Sequence, residues 1–263
     1  MFNKTNSAYR ADLLTHGQAR ERLAERPAVI LPLGGCEPFG AVGRIGIETL
    51  CAGRIADELS ARCRLLCAPA LPFGCSAPFI SFPGAAGVKP RTMVNLLCEI
   101  IHAYILQGAK QIFLINAAPF NKAPAEEAAK RIEAKYSGVK VLLFDVNKIV
   151  GGVSTSLNPL IDRADTALLS MAAYLDQEHS IDTSCINSNR RKSVSIDQYR
   201  TWKKRGADPQ KLRKLFPEGL LLLDNNELID ISPERGKELF DKVVDFCVDE
   251  AAHGLKTLSE LGL

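Results

Sequence analysis

The chain has 263 residues, 46% of them hydrophobic and 24% charged, with a mean hydropathy near zero. That balance excludes a disordered or collagen-like chain and gives enough length to bury a full core. α/β folds of this size often form one unit, so a single domain over residues 1–263 is expected. Thirty-three Lys and Arg against 30 Asp and Glu leave a net charge of +3, too small by itself to imply a nucleic acid or an anionic membrane as partner.

No window approaches the ~20 uninterrupted apolar residues of a membrane span, and the opening MFNKTNSAYRADLL lacks the apolar stretch of a signal peptide. A cytoplasmic protein without membrane or nucleic-acid partners is therefore expected. Eight cysteines, at positions 36, 51, 63, 67, 75, 98, 185 and 247, are spread through apolar patterns and read as buried reduced thiols. Cys63 and Cys67 stand four apart with no second pair or histidine nearby, which argues against a zinc knuckle.

In chain order, residues 7–26 carry an amphipathic helix pattern closed by Pro27. The run 28–33 is apolar without alternation, as a strand covered on both faces reads. Gly34, Gly35 and Gly40 loosen a loop before a helix at 47–62, followed by a second apolar strand at 65–70. The alternation continues with a helix at 92–107, a strand at 111–116, a helix at 123–136, a strand at 140–146 and a helix at 164–177. Such βα repetition predicts an α/β fold with a mostly parallel central sheet between two helix layers.

Ligands of such sheets gather where loops leave the carboxyl ends of strands. Here those loops are 34–46, 71–84, 116–121 and 147–162. Further on, Arg190–Lys214 holds ten Lys or Arg against Asp197 and Asp208. This basic insert, about 188–216, reads as a solvated segment or an anion-binding or docking arm built around Tyr199 and Trp202. A last helix opens at Ser232 and Pro233, with Glu234 favourable to its dipole, and runs to about Leu258.

Several loops carry motifs. Leu31-Pro-Leu-Gly-Gly-Cys-Glu37-Pro-Phe39-Gly40 followed by Gly46-Ile-Glu48-Thr resembles the metal loop of the creatininase (creatinine amidohydrolase) family, LPxGSxEQHG and then G-T-D-T. Pro72-Phe-Gly-Cys75-Ser76 with Phe82-Pro-Gly84 is similar to its PYGxSxEHxxFPGT. Asn116 through Asn121 takes the place of VNGHxxN, Asp165-Thr-Ala that of an E-T-S helix start, and Ser232 to Lys237 that of A-x-x-G-[KR]. The matches are collinear over nearly the whole chain.

The resemblance implies the three-layer αβα fold of that family, usually a symmetric homo-oligomer, and an ancestry in metal-dependent hydrolysis of C–N bonds. A metal pair in such enzymes activates water and polarises the carbonyl, and it needs imidazoles as well as carboxylates. Carried over by position, the carboxylates remain as Glu37 and Glu48, but the imidazole positions read Phe39 and Ala118. A further ligand position is Phe120, the E-H pair is Pro78-Phe79, and the histidine ascribed to acid/base catalysis is Leu160. The four histidines, His16, His102, His179 and His253, fall on helices or helix ends away from these loops.

The resemblance thus implies a crevice lined by Cys36, Phe39, Glu48, Cys75, Phe79, Asn116, Ala118, Phe120 and Asn121. With no cofactor expected, the chain would bind a small molecule or serve assembly without ordinary creatininase activity. Two alternatives stay open. One is a divergent amidohydrolase with a single divalent Mg, Mn or Zn on Glu37 and Glu48, or with Glu37 and Asp165 as catalytic acids. The other is a structural subunit beside an active paralogue. In a metal-free crevice the two acids need a counter-ion, for which Arg44 and Arg163 are the candidates.

Overall fold

The computed structural model describes residues 6–40, 42–77, 79–153, 164–176, 181, 193–194, 201, 208–215, 221–222 and 231–260. Among them, strands β1 (Ala28–Leu33), β2 (Leu66–Cys67), β3 (Gln111–Asn116) and β4 (Lys140–Asp145) form one parallel sheet in the order β2-β1-β3-β4. A separate parallel pair joins β5 (Ser193–Val194) to β6 (Leu221–Leu222). The helices are α1 (His16–Glu25), α2 (Ile47–Cys63), α3 (Pro90–Leu106), α4 (Lys122–Lys135), α5 (Val146–Val153), α6 (Ala164–Leu175), α7 (Pro209–Leu215) and α8 (Pro233–Glu260).

The period-2 geometry of the central strands divides the apolar side chains between two faces. On one face Ala28, Ile30, Phe113 and Ile115 pack with Ile47, Cys51, Ile55 and Leu59 of α2, and with α6 and α8. On the other face Val29, Leu31, Leu33, Ile112 and Leu114 pack with Met93, Leu97 and Ile101 of α3, Ala125, Ala128 and Ile132 of α4, and Leu23 of α1. β1 and β3 are apolar without alternation because both their faces are covered, which makes the three-layer α/β architecture. On the α2 face Phe113 stacks on Phe144 of β4, with centroids 5.7 Å apart and planes 13° from parallel.

Both sheet edges are blunted. Arg10 makes a bridge to Cys67 beside β2, and at the far edge the Glu133 carboxylate accepts the Val141 N–H at 3.0 Å. Unpaired backbone at an edge invites intermolecular strand pairing, and each device reduces it.

Three expected elements differ from those observed. The helix expected over 7–26 is two 3-10 turns, Asn6–Tyr9 and Ala11–Leu13, followed by α1. Thr15 restarts the helix through a capping box with Gln18, whose side chain accepts the Thr15 N–H at 2.9 Å. The strand expected at 65–70 is only Leu66–Cys67, although Leu71 still bridges Leu33. The 147–162 loop begins instead as α5: Asp145 lies at its start, where the N–H groups of Asn147 and Lys148 bond its carboxylate. Gly151 and Gly152 had hidden this helix. Most of the basic insert at 188–216 falls outside the described residues, apart from β5, Thr201 and the stretch holding α7.

The N-terminal segment is tied to α2 by charge. Arg10 pairs with Asp12 at 2.7 Å and reaches Asp57 of α2 at 3.8 Å. Burial holds the Asp57 carboxyl above its ordinary range, with Arg10 and Arg54 opposing. A carboxyl raised on folding binds more protons in the native state, so its contribution to stability is greatest at low pH. It falls as pH climbs from the ordinary carboxylate range through the raised native value. Thermal melts of Asp57→Asn should therefore gain on wild type as pH increases across that window. A constant difference, or one that shrinks with pH, would refute the assignment.

Candidate functional site

The chain runs from β1 through α2 to β2 on one side, then passes back through α3 to β3 on the other side of β1. The topology therefore reverses between β1 and β3, the position at which sheets of this kind place their ligands. The register places Leu33, Asn116 and Asp145 level at those ends. The loops that carry the candidate residues, 34–46 and 117–121, leave the sheet at this point.

Asn121 fixes the loops. Fully buried, it donates from Nδ2 to the Gly34 carbonyl at 2.9 Å and accepts the Cys75 N–H at Oδ1 at 2.7 Å. One amide thereby joins the loops after β1, β2 and β3. The close approach needs a missing side chain at Gly74, where a Cβ would stand 2.6 Å from Asn121 Oδ1 and 2.7 Å from the Gly34 carbonyl oxygen. Thr49 of α2 donates to the Gly35 carbonyl at 3.1 Å, and the Ala117 N–H donates to the Leu33 carbonyl at 3.1 Å.

Glu48 sits in the first turn of α2, behind Gly46 at φ +90°, where the helix dipole favours a carboxylate. It is 1% exposed. A Cβ on Gly35 would come within 2.1 Å of Glu48 Oε2 and 3.5 Å of the Ala118 Cβ. Glu48, the Gly35 backbone and Ala118 are thus brought together. Glu37 is 5% exposed, and its charge reaches both Cys36 and Cys75. Burial pushes each thiol up and Glu37 adds to the rise. Cys51 is driven higher still, by burial first and then by Glu48. Thiols in such surroundings stay protonated and make poor nucleophiles.

The other candidates divide. Asn116 is buried and its Oδ1 accepts the Ala118 N–H at 3.3 Å, while its Nδ2 makes no hydrogen bond. Phe79 lies between Phe82 and Phe120, with centroids 6.1 and 6.0 Å away, an aromatic cluster within the loops. Phe39 packs into the core on the α2 face, beside Gly43 and near Ile47 and Leu169. Arg44 forms its ion pair with Asp176 at 2.9 Å; Asp176 had not been expected as its partner. Asp165 lies in the first turn of α6. Pro78, Leu160 and Arg163 lie outside the described residues.

Sequence reasoning missed two polar groups, one at the start of α5 and one in the loop after β2. Asn147, in the first turn of α5, donates from Nδ2 to the Ala117 carbonyl at 3.3 Å, and its Oδ1 makes no hydrogen bond. Ser76 is fully buried and its Oγ likewise has no hydrogen-bond partner. Ser76 was visible within its motif. Asn147 could have been found only by recognising α5.

Ala118, which offers no nitrogen donor, lies with Glu48 close to Gly35. Among the described residues no group of three His, Cys, Asp or Glu side chains could hold a metal ion. His102 is hydrogen-bonded to Tyr136 between α3 and α4, and His16 and His253 lie on α1 and α8. His179 is outside the described residues.

The three-layer architecture and the parallel strand order β2-β1-β3-β4 define an α/β protein of the creatininase-like fold. The sequence model of creatinine amidohydrolase matches residues 12–250, and the chain belongs to the creatininase family. It is 27% identical over 105 residues to the 3-dehydro-scyllo-inosose hydrolase of Thermotoga maritima. That match spans 39% of this chain and 33% of the relative, so the chain aligns with only about a third of that protein. Its fold superposes on a crystal structure of creatininase with a TM-score of 0.74 at 16% identity, covering 94% of this chain and 98% of that one. A manganese form of creatininase gives a TM-score of 0.72 at 17% identity, covering 94% and 99%. A zinc–zinc form of a creatininase mutant gives 0.74 at 18% identity, covering 94% and 98%.

Proposed function

We propose that this family member binds a small molecule in the β1–β3 crevice without carrying out the ordinary creatininase reaction. The observation that carries this reading is the donor set: Phe39, Ala118 and Phe120 stand at the motif positions where nitrogen donors would be needed, while the acids Glu37 and Glu48 are kept and buried. Hydrolysis through two metals requires ligands that fix both ions and leave a position for water. Two carboxylates and phenyl rings do not supply them. What remains is a set of loops braced by Asn121, with Asn116, Ser76 and Asn147 holding buried polar atoms that make no hydrogen bond. Such a place can orient a polar ligand.

The test is elemental analysis of the purified protein after incubation with excess Zn²⁺ or Mn²⁺, together with a creatinine hydrolysis assay. The expected result is substoichiometric metal, no creatinine turnover, and a melting temperature unmoved by a chelator. Two metal ions per chain with turnover would refute the reading.

A second reading is favoured by the survival of both acids in buried positions at the strand ends. Here the chain is a divergent amidohydrolase holding one hard divalent cation on Glu37 and Glu48, since oxygen ligands suit Mg²⁺ or Mn²⁺. One bound Mn²⁺ per chain, abolished by Glu48→Gln, would select it.

A cytoplasmic location and a symmetric homo-oligomer belong to the proposal. The seven described cysteines are all free thiols, as a reducing compartment allows. No helix among the described residues is long and apolar enough to cross a membrane. Light scattering on the purified chain tests the assembly, and a monomer would remove that part of the proposal.

A further inference from the structure

A cavity lies at the β4 edge of the sheet. It has a volume of about 550 Å³ and is walled by β4, α5 and α8. Its apolar lining comes from Leu142, Leu143, Phe144, Ile149 and Phe246, and its polar lining from Asp145, Lys148 and Glu250. Phe246 is 41% exposed, a large ring left partly in water at the mouth. A concave apolar site of several hundred Å³ with a few converging polar groups is the usual form of a small-molecule pocket.

Asp145 gives the cavity its chemistry. The residue is 8% exposed, yet its Oδ1 accepts no hydrogen bond, a costly arrangement for a buried acceptor. Burial holds the Asp145 carboxyl above its ordinary range, with Lys122 and the N–H groups of Asn147 and Lys148 opposing. Within the lining, the two carboxylates of Asp145 and Glu250 stand against one ammonium, that of Lys148, and nearby Lys122 is paired with Glu126 at 2.7 Å, so the balance of charge is negative. A ligand that complements both features has a compact apolar body and one cationic nitrogen able to donate a hydrogen bond.

We infer that the β4–α5–α8 cavity is a second binding site, one that takes an apolar primary amine or amidine through Asp145. This inference does not depend on the reading of the β1–β3 crevice, and the two can fail separately.

Benzylamine is the probe, with benzyl alcohol and benzoate as neutral and anionic controls of similar shape. Calorimetric or NMR titration should show saturable benzylamine binding, benzyl alcohol at least ~10-fold weaker for want of the charged hydrogen bond, and no benzoate binding. Asp145→Asn should weaken benzylamine by a similar ~10-fold. Gly152 lines the cavity and has open space where its Cβ would stand. Gly152→Trp should therefore occlude the site without touching Asp145, which keeps the test usable if Asp145→Asn folds poorly. Failure of benzylamine to bind wild type overturns the proposal. So does binding that survives both variants, or binding lost only in Glu48→Gln, which would place the amine in the β1–β3 crevice.

Discussion

Asn121→Ala should lose roughly 2–6 kcal/mol of stability, because it strands two buried backbone groups at about 1–3 kcal/mol each. The Gly34 carbonyl loses its donor and the Cys75 N–H loses its acceptor. The site is fully buried, and the glycine-based contact at Gly74 leaves little room for water to substitute. Loss on this scale is a large share of the stability of an ordinary domain. Urea denaturation of wild type and Asn121→Ala measures it. The loops after β1, β2 and β3 should also gain hydrogen exchange together, since one side chain holds all three. A change below about 1 kcal/mol, the usual size for an exposed side-chain hydrogen bond, would mean that Asn121 is not the brace of the crevice.

Gly236→Ala should destabilise the protein although alanine is the better helix former. Gly236 lies in the first turns of α8, and a Cβ there would stand 1.8 Å from the Ser170 carbonyl oxygen and 2.9 Å from the Met171 nitrogen of α6. Both are backbone atoms, which cannot swing aside as a side chain can. Overpacking a tight contact costs typically about 1–3 kcal/mol and occasionally more, against a helix gain of roughly 0.5–1 kcal/mol. With backbone as the obstacle we expect a net loss of at least ~2 kcal/mol. Thermal melts will show the sign. An alanine variant that melts higher than wild type would show that α6 and α8 do not approach at this point. The glycine stands within the Ser232–Lys237 motif, and the structure supplies a physical reason for it: two helices meeting backbone to backbone over the α2 face of the sheet.

Much of this architecture was legible in the sequence. The apolar run 28–33 and the strand expected at 111–116 coincide with β1 and β3, because central strands of a parallel sheet are covered on both faces. Helical spacing located α2, α3, α4 and α8 to within about three residues, since one buried stripe every 3.6 residues is a strong local signal. The collinear motifs pointed to the creatininase family, and they did so through residue identities at loop positions, with periodicity contributing only the fold class.

Other features could be read only from the folded chain. Whether Phe39 faces the crevice or the core depends on how a glycine-rich loop turns, and a loop has no periodicity from which to infer direction. The partner of Arg44 is Asp176, more than a hundred residues away, and nothing local records that distance. The close fit of Gly74 to Asn121 and of Gly236 to Ser170 likewise depends on segments far apart in the chain. α5 escaped notice because two glycines mask a short helix whose start is set by Asp145, itself at the end of a strand. The sequence by itself determined the layers, the order of elements and the chemistry on offer at the strand ends, because burial patterns and residue identities are local properties of the chain. Tertiary structure alone decided which side chains meet there and which turn into the core, because those contacts depend on how distant loops close on one another.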